Sequence, residues 1–509
     1  MTKATFTAIF ALLLALTTAT AGTRQRGPGC WRTATAQQQA AARMASERPV
    51  ETGQSTSYRG QKRGLVILCE FPDTKFKAGH DCEKYHDILN EADYATSEGF
   101  RGSVADYFRD QSSGQFELHF DVVGPYTTKN NYRYYGKNDS EGLDMLPHEM
   151  IAEMCQAADS EVNFADYDWD DDGVVDEVFV VYAGMGEADN TPNKPDLLWP
   201  HMWTMTEAAG EPLQLDSVYI DVYACANELL HGGTINGIGT FCHEFSHCLG
   251  LPDFYDISYH GLFGMDDFDL MSGGSYAGNS FRPVGFTAYE KMVCGWQQPI
   301  ELSTSDVSVS NMKPISERGN TYIIYNDAYP DEYYMIENRQ RTGWDTKYPA
   351  CGLLITHVDY DAEVWFNNIP NTVITESEAY EAGYTCGNDH QRMTLFHADN
   401  TEDAYSLSTD LYPYRQRDSL TTTSRPAAKL FHENSEGNKF MQGAILDIKQ
   451  NSDGTMDFYY RAPKAEVDAI HDIADDRRTG SIVHDLSGRR VQQPSRGIYI
   501  TDGKKVVVR

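Results

Sequence analysis

The sequence predicts an α+β domain, a twisted sheet plus one motif-bearing helix, followed by a β-sandwich. Three observations lead there. Up to about residue 300, short apolar β-rich runs mix with segments of helical spacing. Beyond about Pro299 the pattern changes to strands separated by turns, for which a β-sandwich is the natural packing. Within the first regime, residues 240–253 set two histidines and a glutamate on one short helix.

In chain order, residues 1–21 read as a secretory signal. Lys3 supplies the positive start, Phe6–Leu16 the apolar core and Ala19-Thr20-Ala21 a small-x-small cleavage site. That run is too short to span a bilayer, and no other stretch of about eighteen apolar residues follows. No cysteine follows the cleavage site, which argues against a lipid anchor there. The expectation is a soluble protein, secreted or at the cell surface. Residues 22–63 lack a persistent hydrophobic period and end in Arg59-Gly60-Gln61-Lys62-Arg63, a basic site that a protease could cut. They read as a prosegment of a precursor, a zymogen.

Gly64–Leu68 opens the domain expected over 64–300, as a buried strand. Ser103–Arg109 reads as a helix start, Gln115–Val123 as a strand, Pro147–Ala158 as a helix and Val178–Tyr182 as a buried strand. Phe286–Trp296 reads as a helix ending in Gly295. In the β-sandwich expected over 301–461, the clearest strands are Thr321–Tyr325, Tyr333–Glu337, Gly352–Val358, Met393–Phe396 and Asp457–Tyr460. Trp365–His390 reads as a long loop. Residues 462–478 form a charged linker, and 479–509 give two short strand pairs around glycine turns, too small to bury a core.

His243 and His247 are four apart, so on a helix their rings project from one face. Two neutral imidazoles so held can share one tetrahedral zinc, and Glu244 can reach the metal's open position. Gly250 suits the left-handed conformation that ends helices, and Pro252 cannot continue one. The chain then bends back, so Asp253 can become the third ligand, with Asp256 as the alternative. Three protein ligands and one free position make a catalytic zinc arrangement. In that arrangement Glu244 is the general base, and Tyr276 is a candidate second donor to the developing oxyanion. A methionine turn beneath the zinc is expected at Asp269-Leu270-Met271-Ser272. These features together define a zincin/metzincin-like catalytic domain. A Cys30 thiolate could cap the metal, although a disulfide or a spare thiol is the simpler role for it.

His243-Glu244-x-x-His247-x-x-Gly250-x-x-Asp253 with Asp269–Ser275 resembles the immune inhibitor A family of secreted bacterial metallopeptidases. The resemblance implies a zinc endopeptidase in which the third ligand is an aspartate. Gly102–Phe108, Trp199-Pro200-His201, Glu337–Gln340 and Gly352–Asp359 also resemble that family. The 479–509 tail resembles the C-terminal sorting domain of type IX secretion substrates, which implies the secretion machinery as a partner.

Asp168, Asp170, Asp172, Val174 and Asp176 stand at positions 1, 3, 5, 7 and 9 of a calcium loop, with Gly173 at position 6. Position 12 is Phe179, so a closing ligand would come from elsewhere, and Glu177 or Asp166 could serve. The formal net charge of −33 argues against nucleic acid and anionic membranes as partners. Ten cysteines at irregular spacing do not make a disulfide scaffold, and Cys242 and Cys248 cannot bridge each other on one helix. His357 and Asp359 are set aside, since two metal-binding types in one strand lack a third partner.

The reading is therefore a secreted zinc metalloendopeptidase acting on proteins or peptides, with structural calcium. Two rivals are a surface adhesin or glycan-binding protein with a degenerate metallopeptidase domain, and a metal-dependent hydrolase of another bond such as an ester.

Overall fold

The computed structural model describes residues 58–139, 142–188 and 195–463, and short strand segments between 471 and 508. The expected signal peptide, nearly all of the prosegment including Cys30, and most of the linker lie outside the described residues. The chain groups into two compact units, one ending at Ala462 and the other covering Pro463–Arg509.

The first unit opens with β1 (Gly60–Glu70), α1 (Cys82–Asn90), α2 (Val104–Gln111) and β2 (Phe116–Thr127). Next come α3 (Tyr132–Gly136), α4 (Pro147–Ala158), β3 (Val174–Val175) and β4 (Val178–Met185). Then follow β5 (His201–Thr204), α5 (Met205–Ala209), β6 (Leu213–Leu215), β7 (Val218–Ile220) and β8 (Val222–Leu229). The first sheet has the order β2-β1-β4-β8-β5, parallel except for β5. Its strands are covered on both sides, as a parallel sheet requires. Val66 and Leu68 of β1 enter the core that holds the histidine helix, whereas Leu65, Ile67 and Cys69 enter a second core against Met150, Ile151 and Met154 of α4.

The helix start expected at Ser103 is a capping box, with the Ser103 hydroxyl and the Asp106 carboxylate each accepting the other residue's main-chain N–H. The histidine helix α6 (Ile238–Cys248) lies under the first sheet. Phe241 stacks on Phe179 of β4 at 3.8 Å between ring centroids, and Phe245 packs against Phe108 of α2 and Phe120 of β2. These apolar positions fix which side of the helix the histidines can face.

The helix expected over Phe286–Trp296 is shorter, α7 (Ala288–Val293), because its capping box begins at Thr287. Beyond it lie β9 (Ile300–Glu301), β10 (Val307–Met312), β11 (Tyr322–Tyr325), β12 (Glu332–Arg339) and β13 (Gly352–Asp359). Then come α8 (Ala362–Phe366), α9 (Glu376–Glu381), β14 (Met393–Leu395), β15 (Ala444–Gln450) and β16 (Met456–Arg461). The stretch Trp365–His390 is therefore not one loop. Asp361 and Thr375 cap two short helices there that polar composition concealed.

A five-stranded sheet, β14-β13-β12-β11-β9, faces a three-stranded sheet, β10-β16-β15, across a shared apolar core. Tyr322, Ile324, Tyr334, Ile336, Leu353 and Ile355 point into that core. The alternate residues Ile323, Tyr333, Met335, Leu354 and Val358 point the other way, into the core of the histidine helix. The boundary expected at residue 300 thus crosses the interior of one compact unit, because both faces of one sheet are buried.

One expected feature sits differently from its sequence reading. Arg59–Arg63 runs into β1, paired with β2 from Gly60 opposite Phe116. There Arg63 binds Asp121 and Asp166, and Lys62 donates to the Trp169 carbonyl. The end expected for the prosegment at residue 63 lies in a paired strand, where sheet pairing outweighs the cationic composition. The nine cysteines among the described residues are all free thiols.

In the second unit, β17 (His471–Asp472), β18 (Val483–His484), β19 (Arg490–Val491), β20 (Gly497–Thr501) and β21 (Lys504–Val508) form one sheet of order β17-β21-β20-β18-β19. The two strand pairs expected in the tail are β18 with β19 and β20 with β21.

Leu354 and Ile355 are neighbours in β13 facing the two different cores. Leu354→Ala and Ile355→Ala should each cost about 2–5 kcal/mol. In urea unfolding both should lower one and the same transition. Two separable transitions, each sensitive to only one variant, would mean that the halves fold independently.

Candidate metal centre

The site is built by how α6 starts and stops. Gly239 in its first turn donates to the Ser280 carbonyl at 2.8 Å. A Cβ there would lie 1.9 Å from the Ser275 carbonyl oxygen, so only glycine allows the Gly273–Tyr276 turn to rest on the helix. At the other end Gly250 takes φ 83°, and its N–H bonds the His247 carbonyl at 2.9 Å. The reversal carries the Leu251 carbonyl back beside His247 and brings Asp253 over the helix face.

Each histidine is oriented from behind. His243 Nδ1 lies 2.9 Å from the Leu270 carbonyl and His247 Nδ1 lies 2.8 Å from the Leu251 carbonyl. A carbonyl can only accept, so both Nδ1 atoms carry the proton and both Nε2 atoms keep a lone pair. Leu270 belongs to the methionine turn. Met271 is fully buried, its N–H bonds the Asp269 carboxylate, and its carbonyl accepts from Phe254 N at 2.8 Å. The turn thus holds His243 and the chain just past Asp253.

Asp253 Oδ1 is 3.1 Å from His243 Nε2 and 3.6 Å from His247 Nε2. Ligand atoms about 2.0–2.1 Å from a tetrahedral zinc stand roughly 3.3 Å apart, so this donor set fits the ion. Glu244 Oε2 is 4.0 Å from His247 Nε2, too far to complete the same tetrahedron yet near enough to act on a molecule in its open position. All four side chains are buried. Asp256 is employed elsewhere: its carboxylate accepts from Ser258 N and Oγ and from His260 N, closing a local turn. Tyr276 ends the turn resting on α6 and is half-buried.

The sequence reading missed Asn368. Its side-chain N–H donates to Asp253 Oδ2 at 2.9 Å, while its Oδ1 accepts from Asp253 N at 2.6 Å. This double clamp turns Oδ1 of Asp253 toward the histidines. Asn371 and Thr372 continue the clamp by bonding the Phe254 carbonyl and Ile257 N. Asn368 has φ 56°, a conformation that asparagine tolerates better than most residues. The only local signal was a polar Asn-Asn dipeptide, with nothing to tie it to residue 253.

In the acidic loop, carboxylate oxygens of Asp168, Asp170 and Asp172 lie within 4.8 Å of one another. Asp168 also accepts from Asp172 N and Gly173 N, and Asp172 from Val174 N, so the loop is held closed. The Asp176 carboxyl accepts from Trp169 N, and burial, with Asp170, Asp168 and Asp172 beside it, pushes its pKa up to about 7. Asp166 is taken by Arg63 and Asn163. Glu177 is buried beside the Cys248 thiol, and burial holds its carboxyl well above the usual range.

Residues 53–298 match the family described as immune inhibitor A peptidase M6, catalytic domain. That span contains α6, Asp253, the methionine turn and the acidic loop. Immune inhibitor A from Bacillus thuringiensis subsp. alesti is 26% identical over 301 residues, which cover 50% of this chain and 44% of the relative. Pre-pro-metalloprotease PrtV from Vibrio cholerae serotype O1 (strain M66-2) is 26% identical over 275 residues, covering 46% of this chain and 30% of the relative. The chain therefore spans less than half the length of either relative. Among the described residues no helix is long and apolar enough to cross a membrane.

If Asn368 aims the third ligand, removing its amide should weaken metal binding without unfolding the site. Asn368→Gly keeps the φ 56° conformation accessible and deletes both hydrogen bonds. The expected loss of zinc affinity, measured by chelator competition, is about 10–100-fold. Unchanged affinity would leave Asn368 as a packing residue only.

Proposed function

We propose that this protein is an exported zinc-dependent endopeptidase that hydrolyses peptide bonds in proteins. The observation that carries this reading is the convergence of His243 Nε2, His247 Nε2 and Asp253 Oδ1, with Glu244 one step outside, in a segment matching a metallopeptidase catalytic domain. The names of the relatives, a metalloprotease among them, support the same reading.

A bound zinc would supply Lewis acidity, lowering the pKa of a water in its open position and stabilising the oxyanion that forms on the substrate carbonyl. The chain does the rest. His243 and His247 present lone pairs because their other ring nitrogens donate to main-chain carbonyls. Asp253 adds a negative oxygen to the donor set, fixed by Asn368. Glu244 takes the proton from the attacking water and returns it to the leaving amine. The methionine turn keeps His243 and the start of the Asp253 loop in register.

The acidic loop is the proposed calcium site, with Asp168, Asp170, Asp172 and Asp176 as side-chain ligands and Val174 giving a carbonyl. The leader over residues 1–21, the prosegment and the tail belong to the export part of the proposal, in which the tail engages secretion machinery.

Casein cleavage abolished by a chelator and restored by zinc tests the activity. Glu244→Gln should lose roughly 10²–10⁴-fold in turnover while still holding zinc. Asp253→Ala should lose metal and activity together, and Asp256→Ala should keep both. Full activity in Glu244→Gln would remove the general-base role.

Calcium should raise the melting temperature of the zinc-loaded protein, by about 2.7 kcal/mol of stabilisation at a hundred times its dissociation constant. Asp170→Ala combined with Asp172→Ala should erase most of the rise. An equal rise in both proteins would leave the loop a solvated acidic turn.

A further inference from the structure

Outside the matched segment, Glu332 of β12 stands directly opposite Asp359 of β13. Both carboxylates are fully buried, and like charges facing each other across a strand pair repel. Three of their four oxygens have hydrogen-bond donors. Glu332 Oε1 accepts from His357 Nε2 at 2.8 Å and from Phe431 N, and Oε2 accepts from His432 N at 3.0 Å and Asn326 Nδ2 at 3.1 Å. Asp359 Oδ2 accepts from Arg392 Nη1 at 2.7 Å and lies 2.8 Å from His390 Nε2. Asp359 Oδ1 accepts no hydrogen bond. Facing it at 3.3 Å is His432 Nδ1, which is also buried and makes none. The same nitrogen is 3.5 Å from Glu332 Oε2.

We propose that Asp359, His432 and Glu332 bind a second divalent transition-metal ion of the zinc type. A separation of 3.3–3.5 Å is that of two ligands on one tetrahedral ion, at about 2.0–2.1 Å from it. The pair also makes no direct hydrogen bond at that separation, so both buried atoms are left for another partner. The surroundings are those of a prepared site. Arg392 and His390 hold the far oxygen of Asp359, and His357 and two main-chain N–H groups hold Glu332. The His432 ring stacks on Tyr329 at 3.8 Å between centroids, which sets its tilt. An imidazole among the donors favours a transition metal over calcium, which takes oxygen ligands. The ion would staple β12 and β13 to the segment at Phe431–His432. Nothing in the proposed hydrolysis passes through it.

His432 is the residue to remove, because its side chain is 37% exposed and little packing goes with it. The full chain is stripped with a chelator, reloaded with zinc in calcium-containing buffer, desalted, and its metal counted by elemental mass spectrometry. Wild type should carry two zinc ions per chain and His432→Ala one. His243→Ala with His247→Ala should also keep one, which separates this site from the histidine helix. The second equivalent should raise the melting temperature of wild type and leave that of His432→Ala unmoved. One zinc per wild-type chain, or two in His432→Ala, overturns the proposal.

Discussion

The candidate centre depends on two hydrogen bonds made away from the point where its donor atoms converge. Imidazole is amphoteric, and a buried histidine pair could face its neighbours with either nitrogen. By offering main-chain carbonyls to both Nδ1 atoms, at Leu270 and Leu251, the fold fixes the tautomers and leaves acceptor atoms facing inward. Those carbonyls are where they are because the chain reverses at Gly250 and because the methionine turn is tied to Phe254. Burying three acceptors and a further carboxylate together costs far more than neutral hydrogen bonds recover, unless a cation joins them. The helix start, the reversal and the turn all converge on one electrostatic problem.

The sheet β14-β13-β12-β11-β9 solves a different problem. A sheet with one apolar face needs one partner layer, but both faces of this one are apolar. It therefore acts as a middle layer, with the histidine helix and its surroundings on one side and the three-stranded sheet on the other. Arg339 shows how closely the layers are tied. It leaves β12, is fully buried, pairs with Glu337 and Asp345, and donates to the Gly285 carbonyl next to α7. Such a guanidinium is tolerated only with every donor engaged.

What could be read from the sequence was what chemistry packs into few residues. The histidine helix, its glycine stop, the methionine turn and the acidic loop are each contained in a dozen residues or so, and their spacing carries their geometry. Pro147–Ala158 was legible because its apolar period is regular and proline opens it. The interior strand β8 was not, since Val-Tyr-Ala-Cys-Ala-Asn-Glu-Leu has small and polar residues where strand propensity expects branched ones. The basic run at Arg59–Arg63 has the composition of a cleavage site, and from Gly60 onward it is paired with β2, which its composition does not reveal. His357 and Asp359 looked incomplete because Glu332 arrives across a strand pair and His432 from a distant turn. Asn368 fails to announce itself for the same reason: its role exists only in three dimensions.

Asn368 stands 115 residues after the aspartate it clamps. A chain that stops anywhere between the two has the whole histidine motif and lacks the Asn368 clamp on Asp253. The aim of the Asp253 carboxylate therefore waits on the α8 region, which must dock before Oδ1 is turned toward the histidines. The long sequence separation that hid the residue thus works as a clock.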